Sequence, residues 1–246
     1  MGDFRVHQDH LHNTWPDFWT LELEEQFATI AKNNYPKEAI CLVTADGLVE
    51  LENKSEEPTE SYESQIDPEM YESIIGIIHS HPDSDVRPSK QDCLTQQALN
   101  VPSGIVSVSV DSVSSSFWAG DHLLDKPLIE RPFYHVYYDC YSLIRAYYYQ
   151  EHGIKLKDYA REDDWWILGE NMYEDLFKDA NFEEVTTSGI EIGDVVFMRI
   201  NSKVVNHAGV YIGDDNLLHH LNGRLSRIDK YSTWAKIVDK LVRYKH

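Results

Sequence analysis

Two short stretches of this 246-residue sequence hold residues whose types and spacing suit bond cleavage. The first is His79-Ser-His-Pro82 followed by Pro88-Ser-Lys-Gln-Asp92. The two histidines close the apolar run Ile74-Ile-Gly-Ile-Ile78, which reads as a buried strand. Strand side chains alternate, so residues two apart share a face and both imidazoles can reach one ion. Ser89 suits a helix N-cap, which sets Asp92 in the first turn of the next helix, from where its carboxylate reaches back toward the strand end. Two nitrogens and one oxygen leave a fourth tetrahedral position open, the arrangement of a catalytic rather than a structural zinc site. Each residue also has a plain explanation. Ser-x-x-Asp is a capping-box pattern, and an acid at a helix start gains about 0.3–1 kcal/mol from the dipole. Only the order and spacing together favour a metal site.

The second stretch is Asp139-Cys-Tyr-Ser-Leu-Ile-Arg145. With Asp139 as N-cap, Cys140 lies in the first helical turn, where the helix favours a thiolate. The dipole alone shifts a thiol by less than about one pKa unit, so a basic partner is needed. Downstream candidates are His207, near the start of Asn206-His-Ala-Gly-Val-Tyr-Ile-Gly213, and His219 and His220 beyond the turn Gly213-Asp-Asp-Asn216. A four-residue turn pairs Ile212 with Leu217 and Val210 with His219. On that count His220 shares the face of His207 and Gly209, and His219 needs a bulge or strong twist to join them. The plain reading of a lone cysteine is a small buried hydrophobe.

These residues need elements to hold them. A helix is expected from about Leu21 to Asn33, with Leu23, Phe27 and Ile30 on one face, and Pro36 stops it. Glu38 to Val43 reads as a buried strand. Residues 46–72 are acidic and turn-rich, with short strands around Leu48 to Leu51. A helix opens at Pro88-Ser89, and strands follow in 101–118, notably Ile105 to Val110. Residues 120–132 read as a linker. Then come a helix from Asp139 to Gln150, helical character over 163–180, and strands from Gly193 to Asn222. The first 15 or so residues are polar and expected to be loose. No internal repeat is present, and the two halves differ in pattern.

The first stretch resembles the signature of the JAMM metallopeptidases: His-x-His, seven residues, then Ser-x-x-Asp, matched at every position. That resemblance implies a JAMM-type α/β/α sheet domain over residues 1–122, with zinc held by His79, His81 and Asp92. It implies Glu38 as general base, within Tyr35-Pro-Lys-Glu-Ala-Ile-Cys41, and Ser89 as an oxyanion stabiliser. Ile40 and Cys41 depart from the Glu-x-Cys-Gly context often found in that family. The second stretch, with Gly193-Asp-Val-Val-Phe197 and His207 to Gly213, resembles the nucleophile helix and core strands of the NlpC-type cysteine peptidases. This implies a papain-like α+β domain over residues 132–246, with Cys140 as nucleophile, His207 as base and His219 as the third polar member. The whole is thus expected to be an α+β chain of two domains.

That domain order, together with Pro132 to Arg145, resembles a family of tail-tip proteins of lambda-like phages. The resemblance implies a two-domain peptidase whose partners are other phage tail tip proteins and whose substrates are peptides or peptidoglycan. It would act in the host cytoplasm during assembly and at the virion tail tip. A non-catalytic tail assembly scaffold and an isopeptidase for a ubiquitin-like tag are the competing classes.

Bulk properties fit. The length suits two modest domains, and 42% hydrophobic and 12% aromatic residues suffice for cores. A formal net charge of −20 repels phosphate backbones, so no nucleic-acid partner is expected. Three widely spaced cysteines make no disulfide framework, and a reducing compartment follows. No apolar run approaches the ~20 residues of a membrane span. The Met1-Gly2 start lacks a signal core, and Val6 stands where a myristoylation signal wants Ser or Thr.

Overall fold

The computed structural model describes residues 8–186 and 189–245, so the readings on Gly2 and Val6 lie outside the described residues. The chain forms two compact units, Met1–Leu123 and Leu124–His246.

In the first unit, α1 (Leu21–Asn34) starts at Thr20, whose side chain accepts the Leu23 N–H, and buries Phe27 and Ala31. Among the described residues, five strands form its sheet: β1 (Ile40–Thr44), β2 (Gly47–Leu51), β3 (Gly76–Pro82), β4 (Ser103–Val108) and β5 (Phe117–Ala119), in the order β2-β1-β3-β4-β5. Only β3 and β4 run parallel, and α2 (Lys90–Leu99) makes the crossover between them. Alternation sorts the strand residues between two cores. Cys41, Val43, Ile78 and Val106 pack with Phe27 and Ala31 of α1. Ile40, Leu42 and Ile77 face the other way and pack with Leu99 at the end of α2. The unit is therefore an α/β/α layer, and β3 delivers His79 to the α2 face.

The expectation of a loose start is corrected where the chain is described. Gln8–Thr14 is a 3₁₀ turn in which Leu11 and Thr14 are buried. The Thr14 hydroxyl donates to the Leu11 carbonyl at 2.6 Å and accepts the Trp118 N–H at 3.0 Å. Those contacts stitch the segment to β5, which polarity alone could not foretell.

In the second unit, α3 (Cys140–His152) and the short α4 (Met172–Leu176) precede β6 (Phe182–Val185), β7 (Val195–Met198), β8 (His207–Tyr211), β9 (Asn216–His219), β10 (Arg227–Lys230), α5 (Tyr231–Trp234) and β11 (Val238–Tyr244). Among the described residues, the strands form an antiparallel sheet in the order β10-β9-β8-β7-β11-β6. One face, with Phe197, Ala208, Val210 and Leu218, packs on Leu143, Ile144 and Tyr147 of α3. The other carries Val196, Met198, Leu217 and Leu241 beneath Trp234. Helical character over 163–180 is corrected to the single α4. Asp164 (φ +57°) and Gly169 (φ +92°) take left-handed conformations that no helix continues through. In the expected linker, Arg131 is buried, and its N–H donates to the Ser226 hydroxyl at 2.8 Å.

Candidate metal and cysteine centres

At the end of β3, His79 is buried and His81 is partly exposed. The His81 Nδ1 lies 2.8 Å from the Asp85 carbonyl. A carbonyl only accepts, so this nitrogen carries the proton and Nε2 turns its lone pair toward His79. The two Nε2 atoms are 3.0 Å apart, and Asp92 places Oδ1 3.2 Å from His79 Nε2 and Oδ2 3.6 Å from His81 Nε2. Ligands about 2.0–2.1 Å from a tetrahedral zinc lie about 3.3 Å from one another, so the donor spacing fits such an ion. The donor chemistry, two imidazoles and a carboxylate, fits as well. No other group of three His, Cys, Asp or Glu donors clusters this way among the described residues.

Asp92 serves two purposes. Its Oδ2 accepts the Ser89 N–H and the Ser89 hydroxyl, both at 2.8 Å, while the Ser89 Oγ accepts the Asp92 N–H at 3.1 Å. The capping box and the donor cluster are thus one structure, with Oδ1 left to face His79. Burial alone would push the Asp92 carboxyl up, but the neighbouring His79 and the Ser89 N–H outweigh it and hold the group well below the usual carboxylate range. The Ser89 hydroxyl is committed to this cap, so aiding an oxyanion requires it to release Asp92.

Glu38 sits two residues before β1. The register pairs Ile40 with His79, and the Ser80 N–H meets the Ala39 carbonyl at 3.0 Å. Two more steps set Glu38 opposite His81 on the same face. It is buried, and burial raises its carboxyl against the pull of His79 and His81, with Asp92 adding to the rise. A raised carboxylate is a stronger base.

In the second unit, Cys140 is the first residue of α3, behind N-cap Asp139. Its sulfur lies 3.2 Å from the Tyr173 hydroxyl. Cys140 and His207 line one cavity of about 240 Å³, but no hydrogen bond joins them among the described residues. Burial pushes the thiol up to about 11, with Asp139 adding, while Tyr173, the Ala208 N–H and Arg161 pull it down.

The hairpin corrects the turn count. Gly209 pairs with His219 and Tyr211 with Leu217, because the loop is the three residues Gly213, Asp214 and Asp215, all at positive φ. His219 therefore shares the face of Gly209 and His207. His207 Nε2 is 3.1 Å from His219 Nδ1, and His219 Nε2 is 3.1 Å from Asp229 Oδ2. His220 lies off this line, with Nε2 against the Arg224 carbonyl and its ring against Phe133.

The hydrogen-bond directions follow from Asp229. A carboxylate accepts, so His219 Nε2 is protonated and its Nδ1 accepts from His207 Nε2–H. Burial lowers both imidazoles, His207 to about 3, so neither is charged at neutral pH. His207 Nδ1 thus keeps its lone pair, as a general base requires. Asp229 was not foreseen, because its reach depends on β9–β10 pairing that spacing does not reveal.

Gly209 makes room for this relay. A Cβ there would lie 2.8 Å from the Leu218 carbonyl oxygen and 2.9 Å from His219 Cβ. Gly209→Ala is expected to cost about 1–3 kcal/mol, read by urea unfolding, because backbone must move.

Arg161, also unforeseen, braces Asp139. Its Nε donates to Asp139 Oδ2 at 2.9 Å, and its guanidinium also holds the Val136 carbonyl. Val136 has φ +74°, strained for a β-branched residue, and its N–H donates to Asp139 Oδ2 at 3.2 Å. Arg161→Met is expected to cost about 3–5 kcal/mol in the same assay, since it strands a buried carboxylate.

Comparison with known proteins gives the family. The model described as prokaryotic homologs of the JAB domain matches residues 20–120, and that of the NlpC/P60 family matches residues 130–243. A tail tip assembly protein K from Escherichia phage N15 is 35% identical over 228 residues, covering 87% of this chain and 91% of that protein. The chain belongs to the tail tip assembly protein K family. A protein of the same name from Escherichia phage lambda is 33% identical over 186 residues, covering 75% of this chain and 89% of that protein. The NlpC/p60 domain of the peptidoglycan hydrolase SagA aligns with 47% of this chain and 89% of its own, at 16% identity and a TM-score of 0.34. The JAB-type match contains Glu38, His79, His81, Ser89 and Asp92, and the NlpC/P60 match contains Cys140, His207, His219 and Asp229. As expected from the sequence, this family member is an α+β chain of two peptidase-type domains. No helix among the described residues is long and apolar enough to cross a membrane.

Proposed function

We propose that the chain is a two-domain peptidase of a phage tail tip. Residues 1–122 form a zinc-dependent peptidase or isopeptidase, and residues 132–246 a thiol peptidase acting on the peptides of peptidoglycan. The observation that carries this reading is the presence in one chain of a three-donor cluster and a histidine relay ending at a cysteine cavity. His79, His81 and Asp92 would hold the ion, which would supply Lewis acidity when bound. Glu38 takes the proton of the attacking water, and Ser89 assists the developing oxyanion. In the second domain Cys140 attacks the scissile carbonyl and His207 Nδ1 takes the thiol proton. His219 and Asp229 keep that nitrogen unprotonated in the resting state.

The names of the two phage relatives support other tail-tip proteins as partners. On this proposal the chain works in the host cytoplasm during assembly and at the virion tail tip. A zymogram tests the cysteine half: clearing of peptidoglycan by Cys140→Ala equal to that of the parent would overturn it.

A second reading, a tail assembly scaffold with idle sites, draws on the thiol held up near 11 and on a sulfur that, among the described residues, is bonded to Tyr173 and not to His207. Tail assembly by a chain carrying both Glu38→Gln and Cys140→Ala would favour it.

A further inference from the structure

Between residues 153 and 171 the second unit has no helix or strand, and the chain then turns into α4. That short helix presents Tyr173 to the nucleophile. Its ring is wedged against Phe197 at 5.0 Å and Trp165 at 6.0 Å, so the phenol is held in place by packing. Its hydroxyl meets the Cys140 sulfur at 3.2 Å and makes no other side-chain hydrogen bond among the described residues. A half-buried tyrosine that spends its hydroxyl on a sulfur calls for an explanation.

The chemistry of the sulfur supplies one. As a thiol it can donate or accept. As a thiolate it only accepts, and the phenol must then be the donor. We propose that Tyr173 is a catalytic residue of the cysteine centre, donating its O–H to the Cys140 thiolate as the thiol proton passes to His207 Nδ1.

Burial holds the Tyr173 hydroxyl well above the ordinary phenol range, so it stays protonated and keeps its role as donor. The Ala208 N–H also favours the thiolate. Together they favour a charge that neither the helix dipole nor the neutral His207 stabilises enough. Charge-assisted hydrogen bonds are roughly twice as strong as neutral ones, so the bond tightens as the charge forms. The ionisable and charged groups around the sulfur are Asp139, which disfavours the thiolate, Arg161, which favours it, and His207, His220, Glu162 and His135 along the same cavity. Of these groups, Asp139 and Arg161 are joined in a direct ion pair at 2.9 Å, while the phenol gives its hydroxyl to the sulfur.

The inference rests on the cysteine-peptidase reading, and its test needs no peptide substrate. The rate of Cys140 alkylation by iodoacetamide is measured against pH in the full chain and in Tyr173→Phe. The expected result is a midpoint higher by about one unit in the variant, with alkylation about tenfold slower at pH 7. Cys41 and Cys93 are buried and act as internal controls, since their labelling rises only if the fold opens. Should Tyr173→Phe not fold, 3,5-difluorotyrosine at position 173, a stronger donor of nearly the same shape, is expected to move the midpoint down. An unchanged or lowered midpoint in Tyr173→Phe, or an unchanged or raised one with difluorotyrosine, would overturn the inference. A chain that shows the expected shifts yet cuts no peptide would count against the peptidase reading and leave only the donation from Tyr173 to the Cys140 sulfur standing.

Discussion

Asp92→Asn is expected to weaken zinc binding by about 10²–10³-fold while leaving the fold in place. Structural zinc sites bind with about 10–16 kcal/mol over four ligands, so one ligand is worth about 2.5–4 kcal/mol. Asparagine removes the charge and can place its NH₂ where Oδ1 now faces His79 at 3.2 Å. Its remaining oxygen still accepts the Ser89 N–H, so α2 keeps its cap. Asp92→Ala loses both functions and is expected to cost a further ~1 kcal/mol of stability through the cap. Competition against a chelator measures the affinity, and urea unfolding measures the stability. Glu38→Gln offers the contrast. It touches none of the three donors, so zinc should stay bound while hydrolysis at this centre falls by about 10²–10⁴-fold. Equal zinc affinity in Asp92→Asn and the parent would mean that the ion, if bound, is held elsewhere.

Cys140→Ala should reduce thiol-dependent cleavage by at least about 10⁴-fold, and His207→Ala by a similar factor. The two should not add, because nucleophile and base act as one unit, so the double variant should be no slower than either single one. Asp229→Asn should lose less. An amide can present its carbonyl oxygen to His219 Nε2–H and preserve the direction of the relay, but it gives up the charge that steadies the imidazolium formed at His207. Initial rates on a quenched peptide substrate measure all four variants. A fully additive double variant would show that Cys140 and His207 work independently.

How far these centres were legible differs between them. The metal cluster is local: β3 and the first turn of α2 supply every donor, and the alternation of a strand and the rise of a helix determine where those side chains point. Spacing alone therefore brought His79, His81 and Asp92 together on paper. Glu38 needed the β1–β3 register as well, and that register followed from two apolar runs finding the same core. The cysteine relay is not local. His219 or His220 turned on whether the hairpin loop holds three residues or four, and a one-residue slip moves a side chain to the opposite face. Three successive residues at positive φ, Gly213, Asp214 and Asp215, decide it, and only the glycine advertises that conformation. Asp229, Arg161 and Tyr173 left no trace in the sequence. Each reaches its partner through tertiary packing across 10, 22 and 33 residues of chain. The helical pattern over 163–180 misled for a related reason: Trp165 and Trp166 line a cavity while Ile167 and Leu168 lie exposed, so the apolar residues do not share one helix face.

The central claim is that the two domains carry separate hydrolytic centres, with Cys140 serving peptidoglycan. Its most direct test is mass spectrometry of the fragments released from purified peptidoglycan by the parent chain, Asp92→Asn and Cys140→Ala. The parent and Asp92→Asn should release the same fragments, cut at the same peptide bond, and Cys140→Ala should release none. Release of those fragments by Cys140→Ala, or their loss in Asp92→Asn, would contradict the account.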